Sequence, residues 1–436
     1  MRQSFNAGPV RAEGVRERAI AVALVKEGED RAQCLEHLDE LILLADTAGA
    51  QVVDQVLQAR QRPDAATWIG KGKAEHLKAV AEELEAELIL ADDDLSPAQA
   101  RNLEKLTGRP VVDRSGLILD IFARRARTRE ARTQVELAQL RYLLPRLTRA
   151  WSHLERQRGG IGLRGPGETQ LETDRRLVRT RIRQLEEELE RIDRQRDTRR
   201  QGRGDFFQVA LVGYTNVGKS TLLRSLTGAE VLVEDRLFAT LDATVRRLAL
   251  PDGGEALLTD TVGFIRKLPH HLVASFRSTL REATEADLLL HVIDLSHPGM
   301  EAQVRAVREV LQELGAGETP VLHVLNKVDR VEDPQAMQAA LAAHEPAVLV
   351  SAAQGLRLEH LLERIAALRA ARERRARILL PWRLHGLGAA LRSALRVLEE
   401  EATAEGTRYL VASSADSLAE LLRPFEKKGC VVEEKW

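Results

Sequence analysis

An apolar run, Phe206-Phe207-Gln208-Val209-Ala210-Leu211-Val212, leads directly into Gly213-Tyr214-Thr215-Asn216-Val217-Gly218-Lys219-Ser220, and Thr221-Leu222-Leu223-Arg224 continues in a helical pattern. No other stretch restricts the fold as much. A buried strand that ends in a glycine loop and opens into a helix aims several backbone N–H groups and a positive helix end at one point, where a polyphosphate fits. At the spacing of this P-loop, Lys219 reaches the outer phosphates and the Ser220 hydroxyl ligates Mg²⁺.

The strands that follow it specify the sheet. Glu255 to Thr259, Ala286 to Ile293, Pro320 to Leu325 and Ala347 to Val350 are short apolar runs separated by helical segments, which predicts a doubly wound α/β sheet with its site at the strands' carboxyl ends. Asp260-Thr261-Val262-Gly263 closes the second of these strands. There the Asp260 carboxylate can hold a Mg²⁺ water and the Gly263 N–H can meet a γ-phosphate. Asn326-Lys327-Val328-Asp329 closes the fourth and decides the base. The Asp329 carboxylate can accept both N1–H and N2–H₂ of guanine, whereas adenine would leave that charge unpaired, so GTP and GDP are favoured over ATP. Ser351-Ala352 supplies a loop whose backbone N–H can meet the guanine O6. A switch threonine that ligates Mg²⁺ must lie between Glu234 and Arg247, and Thr240 is preferred to Thr244. Phe264 follows Gly263, and its ring cannot orient an attacking water as glutamine can, so unaided hydrolysis should be slow. Asn216 offers an amide oxygen on which K⁺ could sit.

The remainder of the 436 residues suggests roughly three domains in all. From Arg18 to Phe122, strand-like runs such as Ala19 to Val25, Ala50 to Val56 and Glu87 to Ala91 alternate with amphipathic segments such as Leu35 to Thr47 and Ala74 to Ala86, predicting a small α/β unit. Its Ile69-Gly70-Lys71-Gly72-Lys73 loop precedes a helix and could bind a phosphate, although a tight turn explains it equally well. From Arg124 to Gly204 there are 22 arginines, 12 acids and no lysine. Leu137, Leu140, Leu144, Leu147, Trp151 and Leu154, then Leu171, Val178, Ile182, Leu185, Leu189 and Ile192, step by helical intervals. They predict an antiparallel helical hairpin, kinked at Pro145, around a glycine-rich tip. Glu186 to Glu190 can neutralise part of the arginine surplus. The rest favours a phosphate-backbone partner, with Arg158, Arg164, Arg175 and Arg176 as the contacts. The tail from Glu373 is expected to run strand, helix, strand, helix, strand: Ile378 to Leu380, Leu387 to Glu399, Arg408 to Ala412, Ser417 to Leu422 and Gly429 to Val432.

Charge and cysteines exclude rather than assign. Net charge is −1, and the two cysteines, Cys34 and Cys430, form neither a CxxC pair nor a disulfide framework. No apolar run is long enough to span a bilayer, and the first twenty residues lack a signal-peptide pattern, so a cytoplasmic location is expected.

The chain resembles the HflX family of ribosome-associated GTPases over nearly its whole length. The likeness rests on Trp68 to Lys73, Asp113-Arg114-Ser115-Gly116-Leu117-Ile118-Leu119-Asp120-Ile121-Phe122, Gln134 to Leu140 and, above all, Arg164-Gly165-Pro166-Gly167-Glu168-Thr169-Gln170-Leu171-Glu172-Thr173-Asp174-Arg175-Arg176. Ala243 departs from it, standing where a family proline is expected. The resemblance implies an N-terminal α/β subdomain (1–123), the hairpin (124–204), a GTPase domain (205–372) and a small C-terminal α/β domain (373–436). It further implies GTP hydrolysis by a factor that binds the large ribosomal subunit and its rRNA and splits stalled or idle ribosomes; Mg²⁺ and a monomer are expected. The alternative is a nucleotide-driven, helicase-like enzyme that remodels rRNA.

Overall fold

The computed structural model of the protein describes residues 16–147, 166–200, 206–229, 237–267, 277–414 and 418–435. Three sheets follow one another along the chain. The first is built from β1 (Glu17–Val25), β2 (Ala50–Ala59), β3 (Leu88–Ala91) and β4 (Val111–Asp113), parallel throughout in the order β2-β1-β3-β4. Helices α1 (Arg31–Ala48), α2 (Lys71–Glu83), α3 (Pro97–Thr107) and α4 (Arg114–Arg125) connect and extend it. Alternate residues of β1 feed two cores: Ala19, Ala21 and Ala23 pack with α1 and α4, while Ile20, Val22 and Leu24 pack with α2 and α3. Side chains start these helices where the sequence supplies a cap. Asp30 accepts from Ala32 N–H, Ser96 and Gln99 form a reciprocal capping box, and Asp113 accepts from Gly116 N–H.

Helices α5 (Arg129–Leu143) and α6 (Pro166–Arg200) occupy the arginine-rich stretch and pack against one another. Ion pairs Arg129–Glu188 (2.7 Å), Arg181–Glu136 (2.7 Å) and Arg141–Glu186 (2.6 Å) join them. Part of the positive surplus is therefore neutralised within the arm. Instead of bending at Pro145, α5 stops at Leu143 and a turn follows through Leu147, because proline has no N–H with which to continue the ladder. Trp151, Leu154 and residues 158–165 of the glycine-rich tip, expected from Arg158 to Glu168, lie outside the described residues, and its last three residues, Pro166 to Glu168, begin α6.

The second sheet contains β5 (Phe207–Gly213), β6 (Thr244–Ala249), β7 (Glu255–Asp260), β8 (Leu288–Asp294), β9 (Val321–Asn326) and β10 (Ala347–Leu349) in the order β10-β9-β8-β5-β7-β6. All are parallel except the edge strand β6, which the sequence reading did not resolve. Helices α7 (Lys219–Thr227), α8 (Arg277–Thr284), α9 (Met300–Glu313), α10 (Pro334–Ala343) and α11 (Leu358–Arg372) complete this unit. Its core is continuous with that of α1 and α4. Phe122 of α4 meets Phe238 edge-on, with ring centroids 4.7 Å apart.

Strand β8 carries a buried histidine, and it makes the fold acid-sensitive. His291 is 4% exposed, and its ring lies 5.4 Å from that of His323, itself 5.6 Å from His344. Burial, reinforced by these neighbours, lowers its pKa from 6.5 to about 3. The unfolded chain takes up this proton below pH 6.5 and the folded chain refuses it until about pH 3. The histidine therefore costs nothing above 6.5 and removes about 1.4 kcal/mol of stability per pH unit below it. Urea midpoints at pH 7 and 5.5 should show His291→Gln losing less stability than the parent by that increment; equal slopes would contradict the assignment.

The third sheet, β12-β13-β11-β14, is antiparallel throughout. It comprises β11 (Glu373–Pro381), β12 (Arg396–Ala402), β13 (Gly406–Ser414) and β14 (Val431–Lys435), with α12 (Gly388–Ala394) and α13 (Leu418–Lys427). The expected helix from Leu387 to Glu399 is thus divided. Its first half is α12, and Arg396 to Ala402 pairs with β13, giving the order βαββαβ. Arg369, Arg396, Asp252 and Glu373 tie this domain to the β6–β7 turn through contacts of 2.6–3.5 Å.

Candidate functional site

The carboxyl ends of β5, β7, β8, β9 and β10 open on a cleft of about 370 Å³ lined by the P-loop, Thr240, Gly263, Asn326, Lys327, Asp329 and Ala352. The turn from Gly213 to Ser220 leads β5 into α7. Its backbone path requires glycine at Gly218, where φ is +97° and an added Cβ would lie 2.4 Å from Asn326 Nδ2. Gly263 is equally confined. A Cβ there would come within 3.0 Å of both Lys219 Nζ and the Thr215 backbone. Val217 is buried, Asn216 is exposed with φ +61°, and Thr221 lines the cleft. Asn216, the candidate K⁺ ligand, receives a hydrogen bond from Lys327 Nζ at its backbone carbonyl (2.9 Å).

Lys219 is buried and donates to the carbonyls of Gly213 (3.1 Å) and Tyr214 (2.6 Å). Burial lowers its pKa to about 8 against the pull of Asp260, and burial likewise raises the Asp260 carboxyl against Lys219. In both groups the loss of water outweighs their mutual attraction. Three side-chain oxygens converge beside them. Ser220 Oγ donates to Asp260 Oδ2 (2.6 Å), Thr240 Oγ1 donates to the same oxygen (3.0 Å), and the two hydroxyl oxygens are 2.8 Å apart. Asp260 Oδ1 is buried with no hydrogen-bond partner. Hard oxygens around an incompletely neutralised carboxylate suit Mg²⁺. Thr244, the other switch candidate, belongs to β6 and pairs across the ladder with Asp260.

On the base side, Asn326 braces the loops. Its Nδ2 donates to Val217 O (2.8 Å), and its Oδ1 accepts from Ala352 N–H (2.9 Å). Ser351 N–H is also taken, by Leu356 O at 3.2 Å. The two N–H groups expected to face guanine O6 thus bond within the protein. Ala353, the next residue, lines the cleft. Lys327, in left-handed backbone with φ +63°, extends to Asp294 Oδ2 (2.6 Å), and Asp329 is exposed in the following 3₁₀ turn. Sequence reasoning missed Asp294, which shows only as an acid ending a strand, and Ser225, which donates to Ala352 O (2.7 Å) and holds that loop.

Family models described as GTP-binding GTPase N-terminal, GTP-binding GTPase Middle Region and 50S ribosome-binding GTPase match residues 35–123, 125–203 and 208–327. The chain is 46% identical over 420 residues to the GTPase HflX of Magnetococcus marinus, covering 96% of this chain and 97% of that protein. The chain belongs to the HflX family of GTPases. It is also 53% identical over 301 residues to the GTPase HflX of Escherichia coli (strain K12), covering 69% of this chain and 71% of that one. Among solved structures it is similar to a GTP-binding protein from the archaeon Sulfolobus solfataricus in complex with GDP, at 26% identity and a TM-score of 0.43, covering 81% of this chain and 99% of that chain. As an HflX-family member it is a guanine-nucleotide-binding GTP hydrolase.

Of the residues selected for RNA, the two that are described, Arg175 and Arg176, do not line the cleft. Arg175 is half-buried and Arg176 exposed on α6, while Arg158 and Arg164 fall outside the described residues. The Ile69 to Lys73 loop turns directly into α2, with Ile69 buried and Gly70 N–H donating to Gln58 Oε1 (2.9 Å). Among the described residues no helix is long and apolar enough to cross a membrane.

Proposed function

We propose that this GTPase binds the large ribosomal subunit in its GTP form and splits stalled or idle ribosomes, with hydrolysis resetting the cycle. The reading rests on the match of residues 208–327 to a model described as a 50S ribosome-binding GTPase. The arginine-bearing arm beside that domain supplies a chemistry suited to rRNA phosphates. In the proposed site Lys219 exchanges its two carbonyl partners for phosphate oxygens, and the Gly263 N–H meets the γ-phosphate. Ser220, Thr240 and Asp260 hold Mg²⁺. When bound, the ion supplies positive charge to the β- and γ-phosphate oxygens. Asp329 reads the guanine N1 and N2 edge, and Ala353 is the backbone donor we assign to O6.

Hydrolysis is slow alone because nothing at position 264 can orient water. Phe264 is 1% exposed, its N–H donates to Gly213 O (3.0 Å), and its carbonyl accepts from Thr215 N–H (2.8 Å). The ring is a core anchor for the chain that follows Gly263. A ribosomal group must complete the site. Co-sedimentation with large subunits should be stronger with a non-hydrolysable GTP analogue than with GDP, and should weaken steeply with salt. Arg175→Ala combined with Arg176→Ala should reduce the slope of log K against log salt by roughly 1.5–2 if both arginines contact phosphates. An unchanged slope removes the arm from the interface, and equal sedimentation with GDP and the analogue removes the GTP switch.

A further inference from the structure

Thr240 is held in place from outside the GTPase domain. Two residues after it, the Asp242 carboxylate takes three donors from the start of α5. Its Oδ2 accepts the N–H groups of Arg127 (3.0 Å) and Thr128 (3.2 Å), and its Oδ1 accepts the Thr128 hydroxyl. The same Thr128 oxygen accepts Ala131 N–H (3.1 Å) as the N-cap of α5. Asp242 thereby closes the unpaired N-terminal end of that helix, where a negative charge is also favoured. Two residues before Thr240, Phe238 is 2% exposed, stands in left-handed backbone with φ +55°, and packs edge-on against Phe122 at the other side of the same junction. A bulky residue adopts that conformation only when its surroundings impose it.

Only Ala239, Thr240 and Leu241 separate the two anchors, and Leu241 is itself buried. A span this short, fixed at both ends, leaves the Thr240 hydroxyl little freedom to leave Ser220 and Asp260. We propose that the α4–α5 junction completes the metal site, with Asp242 and Thr128 as positioning residues that hold Thr240 in ligating geometry. The inference deepens the reading of Thr240 as a Mg²⁺ ligand and depends on it. Linkage makes the coupling reciprocal: an ion that fixes Thr240 also steadies the start of α5, and with it the arm.

The test uses the full chain and a fluorescent GTP analogue titrated over a Mg²⁺ series. Asp242→Ala and Thr128→Val should each raise the Mg²⁺ concentration for half-maximal tightening roughly tenfold, the effect of reducing the competent population from nearly all to about a tenth. Affinity at saturating Mg²⁺ should return toward the parent's. Thr128→Ser keeps the hydroxyl and should stay close to the parent, which a packing defect would not predict. Hydrogen exchange at residues 127–131 should slow on adding Mg²⁺ and the analogue to the parent, but not to Asp242→Ala.

Thr240→Ala separates the two levels of the argument. If it leaves the Mg²⁺ midpoint unchanged, the ligand assignment itself has failed. If it raises the midpoint while Asp242→Ala and Thr128→Val do not, the positioning role is overturned. Should Asp242→Ala not fold, the Thr128→Val and Thr128→Ser pair decides in the same way.

Discussion

Asp329→Asn should lower the preference for GTP over ATP by about two orders of magnitude or more, because the site would lose the acceptor pair that only guanine's N1–H and N2–H₂ can fill. The substitution is clean in this fold. Asp329 is exposed in the 3₁₀ turn after β9 and lines the cleft, so its effect on stability should stay within about 0.5 kcal/mol. The scaffold around it is independent of its charge. Asn326 holds Val217 and Ala352, and Lys327 spans Asn216 and Asp294, without help from Asp329. Competition of ATP against labelled GDP measures the change. If the variant still excludes ATP as the parent does, the base is read by backbone groups of the 351–353 loop, and the carboxylate is incidental.

The parts of this protein that were legible from sequence are those whose physics is local. Parallel strands buried on both faces appear as apolar runs, and β8, from Leu288 to Asp294, is buried at every position. Loops that grip nucleotides need glycine and a lysine at fixed offsets, so the P-loop and its partners could be placed by counting. The elements misread are those decided by distant pairing. Strand β6 has Arg246 and Arg247 exposed at a sheet edge and therefore lacks an apolar run. Arg396 to Ala402 follows α12 with helix-compatible leucine and glutamate, but pairing with β13 claims it for the sheet. The domain junctions were invisible for the same reason. Asp242 meets Thr128 across 114 residues, and Arg114 meets Arg266 across 152. Neither contact leaves a periodic trace.

Arg114→Ala should cost roughly 2–3 kcal/mol of stability, less than the full penalty for breaking a buried ion pair, because Asp92 keeps Lys267 at 3.0 Å and Arg266 at 3.7 Å and the half-buried Glu40 keeps Arg266 at 3.9 Å. Arg114 is 0% exposed at the start of α4, yet its guanidinium bonds Asp92 Oδ1 (2.8 Å), Glu40 and the backbone carbonyl of Arg266 (3.2 Å). Burial opposes its charge, and Glu40 and Asp92 more than offset that, so its pKa is raised. Around it, the P-loop residue Tyr214 donates its hydroxyl to Glu40 and accepts Arg266 N–H (2.8 Å), while Lys267 reaches Asp92 (3.0 Å). One guanidinium thus joins α1, the end of β3 and the chain after Gly263, and through Glu40 it reaches Tyr214 of the P-loop. A lysine would not substitute, since a point charge cannot replace the fork that meets all three acceptors. Replacing Arg114 and Asp92 together, with Met and Asn, should cost less than Arg114→Ala alone because one stranded charge is removed along with its partner. Urea unfolding of the three proteins tests this directly. A loss below about 1 kcal/mol for Arg114→Ala would mean that water, together with Lys267 and Arg266, replaces the guanidinium at Glu40 and Asp92. The domains would then meet across a wet seam, and the chain after Gly263 would be free to move without disturbing the N-terminal sheet.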